Sequence, residues 1–224
     1  MMGIDRAGAP FVGGALVLAA LAAWLGSGWW WAIPFLLLAA FLGFFFRDPD
    51  RVIGPDVLAV LSPADGRVMV AGPGQPSVAP DGDWQQISIF LSPMDVHINR
   101  VPYGGTLTRV TYQPGRFLPA YRSESGAQNE RTELWVEREG RTVVFRQVVG
   151  VLARRVVCRV REGETVKTGD RFGLMKFGSR MDVFVDRDAR LLVQPGDAVR
   201  AGETRLAEFP PRPASVAAKD GALC

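Results

Sequence analysis

The feature that most constrains this chain is a stretch without any charged side chain, running from Phe11 to Phe46. The sequence Gly-Ser-Gly at 26–28 divides the stretch into two apolar runs and favours a turn between them. Each run is near or below the roughly 20 residues that a helix needs to span the hydrocarbon core of a bilayer. The pattern therefore predicts a short, tilted helical hairpin over residues 1–46 that anchors the chain in a membrane.

Basic residues flank the hairpin, with Arg6 before it and Arg47 and Arg51 after it. Because basic flanks tend to stay on the cytoplasmic side, we expect a protein of the cell membrane whose remaining chain lies in the cytoplasm. A secretory signal peptide and a buried core hairpin are the alternatives. The second apolar run and the lack of a convincing cleavage site disfavour the signal peptide.

Several classes of function are disfavoured by composition. The formal net charge is +3 and the arginines are scattered, so the sequence does not predict a nucleic-acid partner. The chain has two cysteines, without metal-ligand spacing, and a single histidine, His97, so we expect no metal site.

From residue 57 onward, short runs rich in β-branched and aromatic residues alternate with Gly, Pro and Asp, which is typical of strands and turns. The predicted strands are 57–61, 67–71, 86–91, 105–112, 132–136, 142–149 and 156–160. No long amphipathic helix interrupts them. Residues 47–209 are therefore predicted to form a mostly β domain, either a sandwich or a partly open barrel. The Pro-rich segment 210–224 is expected to be a disordered tail.

An internal repeat adds detail to this domain. Residues 162–170 and 195–203 share the pattern G-x-x-V-x-x-G-[DE], which predicts a turn, a short strand with one inward valine and a second turn. Similar paired turns occur in lipoyl- and biotinyl-type carrier domains, where a modified lysine lies between the halves. Lys176 lies between the two copies here, so a membrane-tethered carrier is one alternative function.

The dipeptide Gly178-Ser179 suggests a different chemistry. Glycine allows unusual backbone angles, so the Ser179 hydroxyl can approach the Gly178 carbonyl and convert the amide into an ester. Elimination would then leave a dehydroalanine, which hydrolyses to a pyruvoyl group and ammonia. A Gly-Ser pair is common in ordinary turns, so the dipeptide alone does not establish this chemistry.

Four segments, taken in order and spacing, resemble the phosphatidylserine decarboxylase family, especially its shorter bacterial and archaeal-type members. They are FFFRDPDR (44–51), SPADG (62–66), IFLSPMDVHINR (89–100) and KFGSRMDV (176–183). The intervening YQPGRF (112–117) and QNER (128–131) are also typical of that family. The resemblance covers residues 44 to about 186.

This resemblance implies a proenzyme that cuts itself between Gly178 and Ser179. The products would be a chain of residues 1–178 and a chain of residues 179–224 that begins with a pyruvoyl group made from Ser179. The two chains would remain together as a heterodimer, and assembly into a higher oligomer is an alternative. The implied reaction converts phosphatidylserine of membrane lipid to phosphatidylethanolamine and CO2, as part of phospholipid biosynthesis.

The family chemistry also assigns roles to individual residues. A Schiff base between the substrate amine and the pyruvoyl ketone would stabilise the carbanion that loss of CO2 leaves at Cα. His97 is the expected proton donor to that carbon, because an imidazole titrates near neutral pH. Asp65 matches a family aspartate that could orient an imidazole, so Asp65, His97 and Ser179 are predicted to form a relay during self-cleavage.

Substrate binding is predicted less sharply. Longer family members carry a second histidine where this chain has Arg100, whose guanidinium stays protonated and cannot act as a base. Arg100, Arg116 and Arg131 are candidates for binding the phosphate or carboxylate of the substrate. A pyruvoyl decarboxylase of a soluble amino acid is the second enzyme alternative, which the charge-free hairpin disfavours.

Overall fold

The computed structural model describes residues 3–26, 28–122, 124–151, 156–175 and 179–211. Its first part is helical, with α1 (Ala9–Leu25), a short 3-10 helix (Trp29–Ala32) and α2 (Ile33–Phe45). Each α-helix has a proline in its first turn, where the missing backbone N–H would have no partner in the helix. The helices pack on each other through small buried alanines, so the predicted helical hairpin is confirmed.

Most large side chains of the hairpin are exposed. They are Phe11, Leu16, Val17, Leu18, Leu21, Trp24, Leu25, Trp29, Trp30, Trp31, Ile33, Leu36, Leu37, Leu38, Phe41 and Phe44. None of the helices in the described part of the chain combines the length and apolar character required to cross a membrane.

The hairpin is attached to the rest of the molecule at its base. Strand β1 (Gly3–Ile4) pairs with β2 (Arg47–Asp48), so the two ends of the hairpin are joined. The Asp5 carboxylate forms an ion pair with Arg159, with an N–O distance of 2.6 Å. Phe45 and Phe46 are buried against residues of the β domain. The hairpin and the β domain therefore share a packed interface.

Strands are the main regular elements of the remaining described residues. Their bounds are β3 (Ala59–Leu61), β4 (Gly66–Pro73), β5 (Trp84–Leu91), β6 (Ile98–Arg100), β7 (Gly105–Gln113), β8 (Arg131–Arg138), β9 (Arg141–Val148), β10 (Val156–Cys158), β11 (Thr165–Val166), β12 (Arg171–Met175), β13 (Ser179–Asp186), β14 (Arg190–Leu191), β15 (Ala198–Val199) and β16 (Arg205–Glu208). One short helix, α3 (Ser125–Gln128), interrupts them.

The strands pair antiparallel in one large and two small sheets. The large sheet has the order β11-β7-β8-β9-β13-β5-β4-β15 and curls into a half-barrel. The small sheets have the orders β10-β12-β6 and β14-β16-β3. Alternate residues of the central strands, such as Ile89, Phe145 and Val183, form the main hydrophobic core. The predicted mostly β fold is confirmed.

The internal repeat forms the two edges of the large sheet. Val166 in β11 and Val199 in β15 are both buried, as the pattern predicts for one inward valine in each copy. The second glycine of each copy, Gly169 or Gly202, has a positive φ, and a Cβ at either position would collide with Ile53. The segment that follows the hairpin therefore lies against both copies. Lys176, between the copies, lies outside the described residues.

Candidate functional site

Ser179 is the first residue of β13, a strand at the centre of the large sheet. It is fully buried and lies opposite Leu91 of β5. Its hydroxyl oxygen has no hydrogen-bond partner within the described residues. Buried hydroxyl groups normally have a partner, so an unpartnered one at the predicted cleavage position is notable. Gly178, the other half of the predicted cleavage site, lies outside the described residues.

His97 flanks the same segment of chain as Ser179. It precedes β6, and its carbonyl oxygen accepts a hydrogen bond of 3.2 Å from the backbone N–H of Met175, the last residue of β12. Only three residues separate Met175 from Ser179, and Gly178 is one of them. The backbone of His97 is therefore bonded to the residue before this segment, and Ser179 is the residue after it.

The ring of His97 is fully buried, and its two nitrogens have different surroundings. Nδ1 lies 2.9 Å from the Asp95 carbonyl oxygen, which can only accept, so Nδ1 carries the hydrogen. Nε2 keeps its lone pair and has no partner in the described ranges. Burial lowers the pKa of His97 to about 4, with a further lowering by the charge of Arg47 against a raising effect of the Asp95 hydrogen bond. The imidazole is thus neutral at physiological pH and can act as a base through Nε2.

The hairpin contributes directly to the surroundings of His97. The Phe45 ring lies against the imidazole, with 4.2 Å between ring centroids and 33° between planes. Arg47 donates a 2.7 Å hydrogen bond to the Met94 carbonyl, in the loop that leads to His97. Phe45 and Phe46 pack together with Val96 and other buried residues beside the ring. The base of the hairpin therefore positions the imidazole.

Asp65 is engaged by other groups. One carboxylate oxygen accepts a 2.7 Å hydrogen bond from Arg51, and the other accepts one of 2.8 Å from the backbone N–H of Ala201. Neither ring nitrogen of His97 is bonded to Asp65. Asp65 therefore balances the charge of Arg51, and the structure does not join Asp65, His97 and Ser179 into a hydrogen-bonded relay.

The three candidate arginines lie in separate places. Arg100 is buried and donates hydrogen bonds of 3.0 Å to the carbonyls of Gly169 and Pro49, which ties β6 to the segment after the hairpin. Arg116 is exposed and contacts the side-chain amide of Gln128 at 3.3 Å. Arg131 is half-buried and donates to the Ala127 carbonyl, while its Nε has no partner among the described residues. The structure does not bring the three together at Ser179.

A buried polar network on the other face of the large sheet was not predicted. The Arg180 guanidinium donates to Asp182 at 2.6 Å and to the Ser88 hydroxyl at 2.9 Å, and all three residues are buried. Arg146 and Glu133 form an ion pair on the same face. This network fixes the first residues of β13 next to Ser179. In the sequence, Arg180 and Asp182 alternate with apolar residues, and this alternation is the signal that indicates a strand with a polar face here.

Two further buried residues near the site were also missed. Gln147 of β9 donates a 2.8 Å hydrogen bond to the side-chain oxygen of Asn99 in β6. Asn99 lies inside the DVHINR motif, two residues after His97, and this spacing could have drawn attention to it. No sequence signal marks Gln147 as its partner.

Comparison with known proteins gives one consistent result. The family model described as phosphatidylserine decarboxylase matches residues 38–207. A protein of Solibacter usitatus is 46% identical over 189 residues, covering 84% of this chain and 88% of the relative. One of Nitrosomonas europaea is 41% identical over 207 residues, covering 92% and 95%, and one of Pelodictyon phaeoclathratiforme is 43% identical over 198 residues, covering 87% and 93%. All three carry the name phosphatidylserine decarboxylase proenzyme.

Proposed function

This chain belongs to the phosphatidylserine decarboxylase family, as its sequence motifs predict, and we propose that it is a self-cleaving proenzyme that converts phosphatidylserine to phosphatidylethanolamine and CO2. One observation carries the proposal for the site. The buried Ser179 Oγ and His97 Nε2 both lack partners in the described structure. Ser179 follows the three-residue segment that contains Gly178, and the backbone of His97 is hydrogen-bonded to Met175, which precedes that segment. The family assignment does not favour a carrier domain that uses Lys176.

Self-cleavage follows from the chemistry of these groups. Neutral His97 takes the hydroxyl proton through Nε2 while Ser179 Oγ bonds to the Gly178 carbonyl carbon. The C–N bond breaks, the amine takes up a proton, and an ester joins the two residues. Elimination releases the Gly178 carboxylate and leaves dehydroalanine at 179. Water then replaces the nitrogen, so that a pyruvoyl group forms and ammonia leaves.

The buried position of Ser179 fits a pyruvoyl group. The small hydroxymethyl side chain is enclosed at the start of a central strand, and the pyruvoyl group needs no further volume there. When present, its ketone supplies the electron sink needed for loss of CO2 from the substrate. His97 is the proposed proton donor to Cα, and because the resting imidazole is neutral, Nε2 must first take up a proton. Burial lowers the pKa of His97 to about 4, so the protonated ring is a stronger acid than a free imidazolium and passes this proton on to carbon.

The hairpin supports a membrane location. Its exposed side chains are almost all apolar, and its tryptophans surround the turn farthest from the tied base, where a membrane interface suits them. We place the protein at the cell membrane, with the β domain on the cytoplasmic side, because basic residues flank the hairpin. The lipid substrate would then reach the site from the membrane.

Intact-mass measurement of the purified protein tests the proposal most directly. We expect two chains, 1–178 and 179–224, whose masses add up to the uncut chain plus one water minus one ammonia. The shorter chain should react with a carbonyl reagent, and the sample should release CO2 from phosphatidylserine. A single chain that carries added mass on Lys176 would support the carrier instead, and cleavage at another bond would contradict the role of Ser179.

A further inference from the structure

Two buried amides meet between the large sheet and the β10-β12-β6 sheet. Gln147 Nε2 donates to Asn99 Oδ1 at 2.8 Å and lies 3.4 Å from the Val157 carbonyl oxygen, which identifies this end of the amide as nitrogen. Both side chains are fully buried. Asn99 Nδ2 and Gln147 Oε1 are left without partners in the described part of the chain. The pair thus presents one free donor and one free acceptor, which a fold rarely leaves in its interior.

Strand register places this pair next to the reacting groups. Asn99 follows His97 by two residues, and Gln147 lies opposite Met181, which follows Ser179 by two residues. Ser179 and Met181 are two residues apart on β13, so their side chains share one face of the sheet and are separated by about 7 Å, and His97 directly precedes β6. Six buried side-chain atoms within the described residues have no partner, and four of them belong to the amide pair and the two reacting residues. These residues are Asn99, Gln147, His97 and Ser179. The unpartnered groups are therefore concentrated at one place in the molecule.

The fold makes room for the Gln147 amide. Gly173 of β12 lies against it, and a Cβ at this position would be 2.6 Å from Gln147 Nε2 and 2.4 Å from the Val157 oxygen. The pairing of β12 with β6 is also irregular between Arg171 and Gly173. Gly173 therefore leaves space for the amide, and any larger residue at this position would displace the strand.

We propose that Asn99 and Gln147 form the polar floor of the active site and bind the amino-acid headgroup of the lipid. Asn99 Nδ2 donates to the headgroup carboxylate, and Gln147 Oε1 accepts from its amino nitrogen. This assignment rests on the proposed decarboxylase function.

Neutral amides suit this reaction better than arginines. The carboxylate loses its charge when CO2 leaves, so a guanidinium would stabilise the substrate more than the transition state and slow the reaction. A neutral donor orients the carboxylate with less of this penalty. Arg100 and Arg116 donate their hydrogen bonds to other groups, the Gly169 carbonyl and the Gln128 side-chain oxygen.

The substrate and product provide the test, since phosphatidylethanolamine keeps the amino group and lacks the carboxylate. KM is measured with short-chain phosphatidylserine in mixed micelles, and Ki with short-chain phosphatidylethanolamine. Asn99→Leu should raise KM about tenfold and leave Ki unchanged, because one hydrogen bond is lost from the substrate alone. Gln147→Leu should raise both constants. Gln86→Leu, which removes a buried amide on the opposite face of the sheet, should change neither.

Near-isosteric variants keep the test decisive if a leucine variant does not fold. Asn99→Asp replaces the donor by an acceptor and should raise KM more than tenfold, again without a change in Ki. If KM and Ki rise together in both Asn99 variants, or neither changes, the assignment is wrong. Parent protein that binds phosphatidylserine micelles without releasing CO2 would contradict the decarboxylase function instead, so the two failures are distinguishable.

Discussion

Ser179 Oγ and His97 Nε2 are the two atoms on which the proposed chemistry depends. Ser179→Ala removes the attacking oxygen and the later leaving group, so the variant should remain one chain without a carbonyl-reactive terminus and without decarboxylase activity. Its stability should stay within about 1 kcal/mol of the parent, because the deleted hydroxyl has no partner in the described structure. Gel electrophoresis and chemical denaturation measure both effects. Ser77→Ala, at an exposed serine, is the matched control and should be cut normally.

The lowered pKa of His97 gives self-cleavage a characteristic pH dependence. The neutral base is needed, so the rate should be constant from about pH 8 to about pH 5 and fall with a midpoint near 4, not near the usual 6.5. Two charged residues, Arg47 and Asp95, lie near the ring, and the pKa of about 4 includes the charge of Arg47 and the backbone hydrogen bond of Asp95. Pulse-labelled precursor followed across pH measures the midpoint. A midpoint at 6.5 would contradict burial of the ring in the uncut chain.

The same shift affects stability. A histidine whose folded pKa lies below its unfolded value binds protons more weakly in the folded state. Its contribution to stability is therefore complete above about pH 6.5 and is lost as the pH falls toward 4.

Sequence motifs led to Ser179 and His97 because reactive residue types in a known order are visible without coordinates. The partners of those residues were not visible. Asp65 was expected to bond an imidazole, but the fold places the Arg51 guanidinium and the Ala201 N–H on its carboxylate. Such contacts join residues far apart in the chain, and only the packed structure determines them.

The hairpin carries a second role at its base, because Phe45 covers the His97 ring. Phe45→Leu should expose the imidazole to water, move the midpoint of self-cleavage upward from about 4, and destabilise the fold by about 1 to 2 kcal/mol. Phe35→Leu makes the same change in the same helix, away from the site, and should leave the midpoint unchanged. Equal midpoints in the two variants would remove the positioning role of Phe45.

Truncation separates anchoring from positioning. Removal of residues 1–43 keeps Phe45 and Arg47 but deletes nearly all exposed apolar side chains, so the protein should leave the membrane fraction and still cut itself. Removal of residues 1–46 also takes away the ring that covers His97, so self-cleavage should slow. Fractionation and electrophoresis of both proteins give the result. If the protein that lacks residues 1–46 remains in the membrane fraction, the hairpin is not the anchor.

Seven strands were predicted near their observed positions, because apolar alternation and bounding glycines or prolines are local signals. Strand β13 was not among them, although it is central. Its Arg180 and Asp182 suggest an exposed face, whereas the fold covers that face and pairs the charges with each other and with Ser88. Strand β6 has only three residues and gives too short a pattern to recognise.

The position of β13 determines what self-cleavage does to the whole molecule. The strand pairs with β9 on one side and β5 on the other, and both neighbours belong to residues 1–178. The proposed cut would leave residues 179–224 with β13 in the middle of the large sheet, β15 at its edge, and β14 and β16 in a small sheet. Separation of the chains would therefore break the sheet at its centre and expose the main hydrophobic core.

We therefore expect the two chains to unfold and separate in a single step. After cleavage, unfolding releases two molecules from one, so the melting temperature of the mature protein should rise with protein concentration. Uncut Ser179→Ala unfolds as one chain and should show no such dependence. Calorimetry over a hundredfold concentration range compares them, and size-exclusion chromatography should give one native complex whose chains separate only in denaturant. Dissociation of the cut chains under native conditions would mean that β13 is not held between β5 and β9.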